Sequence, residues 1–141
     1  MIILKDTKLN FKKNIQNQYN KLISNIDFSK ICCSCDHHVW KQHCRYKRYV
    51  DFFGVKIKIL IVRIRCEHCG KTHAVLFQNM IPFSSINQNE AISILNHSLY
   101  VETSYLAFLI RKFSLDLLKD YHALCLFSSR TFPVILFSLN L

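Results

Sequence analysis

The chain has 141 residues, half of them hydrophobic, and 19 Lys and Arg against 9 Asp and Glu give it a formal charge of +10. That length suits one domain or two small subdomains, and the apolar content excludes a disordered chain. A positive excess of this size points to a polyanion as partner, with nucleic acid ahead of membrane.

The charge is uneven. Residues 1–29 carry five Lys against two Asp, residues 30–80 carry ten Lys and Arg against three acids, and residues 81–141 carry four of each sign. Met1-Ile2-Ile3-Leu4 meets Lys5 and Asp6 at once, too short an apolar run for a signal peptide. A reducing, cytoplasmic setting is therefore expected, where clustered cysteines more often bind metal than pair as disulfides.

In chain order, Phe11, Ile15, Tyr19, Leu22, Ile23 and Ile26 recur at three- and four-residue steps, which predicts an amphipathic helix over 9–26. Residues 1–29 are read as this helical segment. Cys32-Cys33-Ser34-Cys35 follows, and Cys66-Glu67-His68-Cys69-Gly70 closes the next stretch. Each end holds a C-x-x-C pair, and two such pairs offer four thiolates to one tetrahedral ion such as Zn²⁺. Because that spacing needs two intervening residues, Cys32 is expected to partner Cys35, with Cys66 and Cys69 completing the set. Cys33, Cys44 and Cys125 are left over, although a thiol at position 33 can compete for the metal. A complete set of four thiolates needs none of His37, His38, His43, His68 or His73, which are expected at the surface or around the ligands.

Between the knuckles, the basic, aromatic stretch from Val39 to Phe53 reads as a strand, Gly54 as a turn, and Val55-Lys56-Ile57-Lys58-Ile59 alternates as a half-buried strand does. Val62 and Ile64 then switch parity, so a bulge or burial of both faces is expected between Leu60 and Val62. Thr72 to Phe77 reads as a third strand. This gives a zinc ribbon over 30–83 with an enlarged hairpin, ended by Ile81-Pro82-Phe83. Residues 84–141 are read as helices begun at Ser85 or Asn87, at Thr103 or Ser104, and at Ser114, followed by an apolar tail. The fold class expected is α+β, a small ribbon followed by a helical, helix-turn-helix-like segment.

C-x-x-C, Arg45-Tyr46-Lys47-Arg48-Tyr49, a strand, Cys66-x-x-Cys69-Gly70-Lys71-Thr72-His73-Ala74 and Ile81-Pro82-Phe83-Ser84 occur in that order. This resembles a bacterial zinc-ribbon family, a domain of unknown function related to the N-terminal zinc-binding segment of insertion-sequence transposases. The resemblance covers residues 30–86 and reaches the helices only loosely. It implies Cys32, Cys35, Cys66 and Cys69 as ligands of one structural Zn²⁺, and DNA as the partner. Cys33 and Asp36 stand where the family favours Pro and Gly, and Cys44 where Gly is common.

Arg45, Lys47, Arg48, Lys56, Lys58, Arg63 and Arg65 are the candidate phosphate contacts, with Tyr46 and Tyr49 able to stack on exposed bases. Four thiolates close the metal's coordination shell, and Glu90, Glu102, Asp116 and Asp120 lack a scaffold that gathers carboxylates around Mg²⁺. No enzymatic activity is expected. The other class of function is a zinc-held protein-interaction module that uses the C-terminal helices against a partner or a second copy.

Overall fold

A computed structural model describes residues 1–5, 9–10, 13–52, 55–97, 102–120, 123–124 and 135–138. The architecture is mixed α+β. Strands β1 (Ile2–Lys5), β2 (Trp40–Phe52), β3 (Val55–Cys66), β4 (Thr72–Phe77) and β5 (Ile135–Ser138) accompany helices α1 (Ile15–Ser24), α2 (Gln88–Leu95), α3 (Thr103–Lys112) and α4 (Leu115–Lys119). The five strands form one sheet in the order β2-β3-β4-β1-β5. Two compact units are recognised: Met1–Tyr49, Lys58–Gln78 and Phe132–Leu141 make one, and Val50–Ile57 with Asn79–Thr131 makes the other.

In the first unit, β4 runs antiparallel to β3, with Ile64 opposite His73. β1 lies between β4 and β5 and is parallel to both. Ile2, Ile3 and Leu4 are each fully buried, the consecutive burial expected of a central parallel strand covered on both faces. Helix α1 starts where the Asn14 side chain accepts a hydrogen bond from the Asn17 N–H at 3.0 Å, a cap for one of the orphan donors of the first turn. It begins later than the periodicity suggests, and position 11 lies outside the described residues.

Two side chains of α1 explain the parity change in β3. The Leu60 N–H donates to Gln16 Oε1 at 2.7 Å and the Leu60 carbonyl accepts from Gln16 Nε2 at 3.3 Å. The Val62 N–H donates to the Tyr19 hydroxyl at 2.9 Å, and that hydroxyl donates to the Val75 carbonyl at 2.8 Å. Helix side chains thus take over from a strand partner just where burial passes from Ile59 and Ile61 to Val62 and Ile64. The Tyr19 ring packs edge-on against Phe77, and burial raises its pKa well above the usual tyrosine range.

The second unit is built around Ile81, Ile86, Ala91, Ile94, Leu109, Phe113, Leu118 and Leu124. Asn87 caps α2 by accepting from the Glu90 N–H at 2.9 Å, while its amide donates to the Asp51 carbonyl at 2.7 Å. Ser114 caps α4 through the Leu117 N–H. Helix α3 is preceded by Glu102 and has no side-chain cap. Gly54 and Cys125, both singled out in the sequence, lie outside the described residues, as does the tail apart from β5.

Candidate metal centre

Each knuckle is a tight loop closed by two backbone hydrogen bonds. In the second, the Gly70 N–H donates to the Cys66 carbonyl at 3.0 Å and the Cys66 N–H to the Lys71 carbonyl at 2.9 Å. In the first, the Asp36 N–H donates to the Cys33 carbonyl at 3.0 Å and the Cys33 N–H to the His37 carbonyl at 2.9 Å. The pattern repeats with one residue fewer. Each loop needs a left-handed residue before it closes, Asp36 at φ 61° and Gly70 at φ 72°. Asp tolerates that region better than most residues, and Gly occupies it at no steric cost.

These loops bring the sulfurs of Cys33, Cys35, Cys66 and Cys69 within 4.8 Å of one another. Cys33 Sγ lies 3.7 Å from Cys69 Sγ, and Cys35 Sγ lies 3.6 Å from Cys66 Sγ. Zn–S bonds of about 2.3 Å set tetrahedral sulfurs about 3.8 Å apart, whereas a disulfide needs about 2.05 Å. The spacing matches ligands of one ion, and the cysteines are free.

The sulfurs that cluster differ from the expected set at one position. Cys32 is exposed, with its sulfur directed to the Cys33 carbonyl at 3.4 Å, and the buried Cys33 takes the place assigned to it. The physical reason is alternation: Ile31 and Cys33 are buried and Cys32 between them points out, as successive residues of an extended chain do. The loop closes as C-x-C rather than C-x-x-C.

The thiols are electrostatically unequal. The backbone N–H groups of Cys69 and then His68 favour the Cys66 thiolate and bring its pKa down to about 6 against the opposing effect of burial. Burial, reinforced by the neighbouring sulfurs, pushes Cys35 up to about 12. A cation supplies the positive charge that lets such a cluster ionise together.

Around the sulfurs stand three of the histidines expected at the surface or around the ligands, His73, His37 and His68, together with Trp40. His73 is buried, with Nε2 4.0 Å from Cys33 Sγ and Nδ1 2.8 Å from the Met1 nitrogen. Burial, followed by the Met1 amine and Lys71, brings its pKa down to about 4. Trp40 packs edge-on against it at 5.3 Å and donates from Nε1 to the Ile31 carbonyl at 2.8 Å. His37 and His68 stack at 3.5 Å with planes 8° apart. Together with Cys35 they form a second close group. Ring nitrogens bind metal in the ring plane, so parallel stacked rings cannot aim at one ion without turning.

All seven basic candidates lie on β2 and β3. Lys47, Lys56, Lys58 and Arg65 are exposed. Arg45 donates to Asn20 Oδ1 of α1 at 3.0 Å, and Arg63 lies 5.0 Å over the Tyr46 ring. Arg48 is half-buried. Among the described residues no carboxylate lies within ion-pair distance of Lys41, Lys47, Lys56 or Lys58. No described helix is long and apolar enough to cross a membrane. Comparison of the chain with protein-family models, characterised proteins and solved structures returned no match.

Proposed function

We propose that the chain is a zinc-binding module in which one structural Zn²⁺, held by Cys33, Cys35, Cys66 and Cys69, fixes two knuckles beside a basic strand pair that binds nucleic acid. The observation carrying the metal assignment is the four-sulfur cluster, with 3.6 and 3.7 Å approaches at tetrahedral spacing. Four thiolates suit Zn²⁺ and leave no open position for a reacting water, which favours a structural over a catalytic ion. Kinship with the zinc-binding segment of transposases, and a helix-turn-helix role for α2 to α4, belong to this proposal and rest on motif order and helix count.

The nucleic-acid reading is supported by Lys41, Lys47, Lys56 and Lys58, exposed on β2 and β3 without carboxylate partners among the described residues. Such lysines gain free energy by displacing counterions from phosphates. Arg45 and Arg63 have intramolecular partners, so they are weaker candidates than sequence gives them to be. The test is retention on duplex and single-stranded DNA across a salt series. Log affinity falls linearly with log salt. Replacing Lys47, Lys56 and Lys58 together with Ala reduces the slope on duplex DNA by about 0.9 for each phosphate no longer neutralised. A zinc-loaded, folded chain that ignores both forms of DNA at low salt contradicts this reading and leaves the metal assignment standing.

A second reading, a zinc-held protein-interaction module, is favoured by Phe108 and Ile110, which are 50% and 59% exposed on α3. It predicts binding to a protein partner that resists salt.

A further inference from the structure

The first knuckle holds two adjacent thiols, and the C-x-x-C rule favours the one that the fold turns outward. We propose that His73 is a positioning residue that selects Cys33 over Cys32 as the fourth sulfur ligand, through a hydrogen bond from its Nε2–H to Cys33 Sγ. The inference rests on the metal-centre reading above.

Geometry carries it. His73 is 2% exposed and is held in β4 opposite Ile64. The Met1 nitrogen, 2.8 Å from Nδ1, is a hydrogen-bond donor as an amine and equally as a peptide amide. With Nδ1 accepting from that nitrogen, the neutral ring carries its hydrogen on Nε2, the tautomer this proposal requires. That hydrogen faces Cys33 Sγ, 4.0 Å away. A buried N–H donor directed at a sulfur fixes its direction, the role that groups behind a metal's ligands usually play.

Trp40 ties the two halves of the device together. Its indole N–H donates to the carbonyl of Ile31, the residue before the Cys32–Cys33 pair, and its ring packs against His73. The consequence is a spare exposed thiol, Cys32, beside a closed metal centre.

The test uses the full chain loaded with Co²⁺, followed by its thiolate-to-metal absorption and by N-ethylmaleimide labelling with mass-spectrometric site assignment. In the unmodified chain, labelling of the adjacent pair falls on Cys32 alone, and Cys32→Ser keeps the four-thiolate spectrum and the affinity. Cys33→Ser weakens Co²⁺ binding by at least about tenfold. His73→Phe, which keeps a ring and lacks the donor, weakens binding by about 10- to 100-fold and lets label reach Cys33. His73→Gln, which keeps an N–H, restores protection of Cys33.

Loss of the spectrum in Cys32→Ser, or unchanged affinity and labelling in His73→Phe, overturns the proposal. Should His73→Phe not fold, the ring tautomer of the unmodified loaded chain decides by ¹⁵N NMR: Nε2–H is required, and Nδ1–H overturns the proposal. A wild-type chain that takes up no Co²⁺ contradicts the metal-centre reading itself.

Discussion

Tyr19 does the work of two backbone partners. Its hydroxyl accepts from the Val62 N–H and donates to the Val75 carbonyl in a fully buried position. Tyr19→Phe preserves the ring and its packing on Phe77 but leaves both backbone groups without a partner. The expected loss is about 1–3 kcal/mol, read from urea denaturation. A variant as stable as the parent would mean that water or strand movement satisfies both groups. From sequence, Tyr19 was visible only as one apolar position on a helical stripe; that its oxygen bridges two strands depends on where β3 and β4 separate. Cys33 teaches the same lesson. Spacing identified the knuckles and three of the four clustered sulfurs, yet which of two adjacent thiols faces inward follows the backbone direction after the buried Ile31, which spacing does not record.

Among the elements, α1 and the parity switch of β3 were legible, because periodicity reports which face of a segment is buried. β1 was not. Ile2-Ile3-Leu4 is too short a run to distinguish a strand from any apolar terminus, and its identity comes from pairing with β4 and β5. That strand changes the expected role of the metal. A ribbon alone has little core, whereas the first unit also buries Ile2, Ile3, Leu4, Tyr19, Val75, Leu76 and Phe77, none of them a knuckle residue. Chelation of the metal is therefore expected to expose the backbone of residues 31–39 and 66–71 to hydrogen exchange while β1 and β4 stay protected. Collapse of protection across the whole sheet would make the metal, and not the apolar core, its main support. Ile3→Ala gives the complementary result, a loss of about 2–5 kcal/mol in thermal or urea unfolding with metal stoichiometry unchanged. An Ile3→Ala chain as stable as the parent would contradict a central place for β1.

For the molecule as a whole, periodicity made the α+β class readable and the placing of Lys, Arg, Asp and Glu made the charge distribution so, since both are properties of the sequence itself. The partners of individual charges were not: Arg45 and Arg63 look equivalent to Lys47 and Lys58 on paper, and only packing gives the first two their Asn20 and Tyr46 neighbours. The central claim is that four sulfurs hold one ion. Metal content of the purified chain by native mass spectrometry tests it most directly, run beside Cys35→Ser and Cys66→Ser. The account predicts one zinc per wild-type chain and its loss or marked depletion in both variants. A metal-free wild-type chain with its full strand content, or a metal that survives both substitutions, would contradict it.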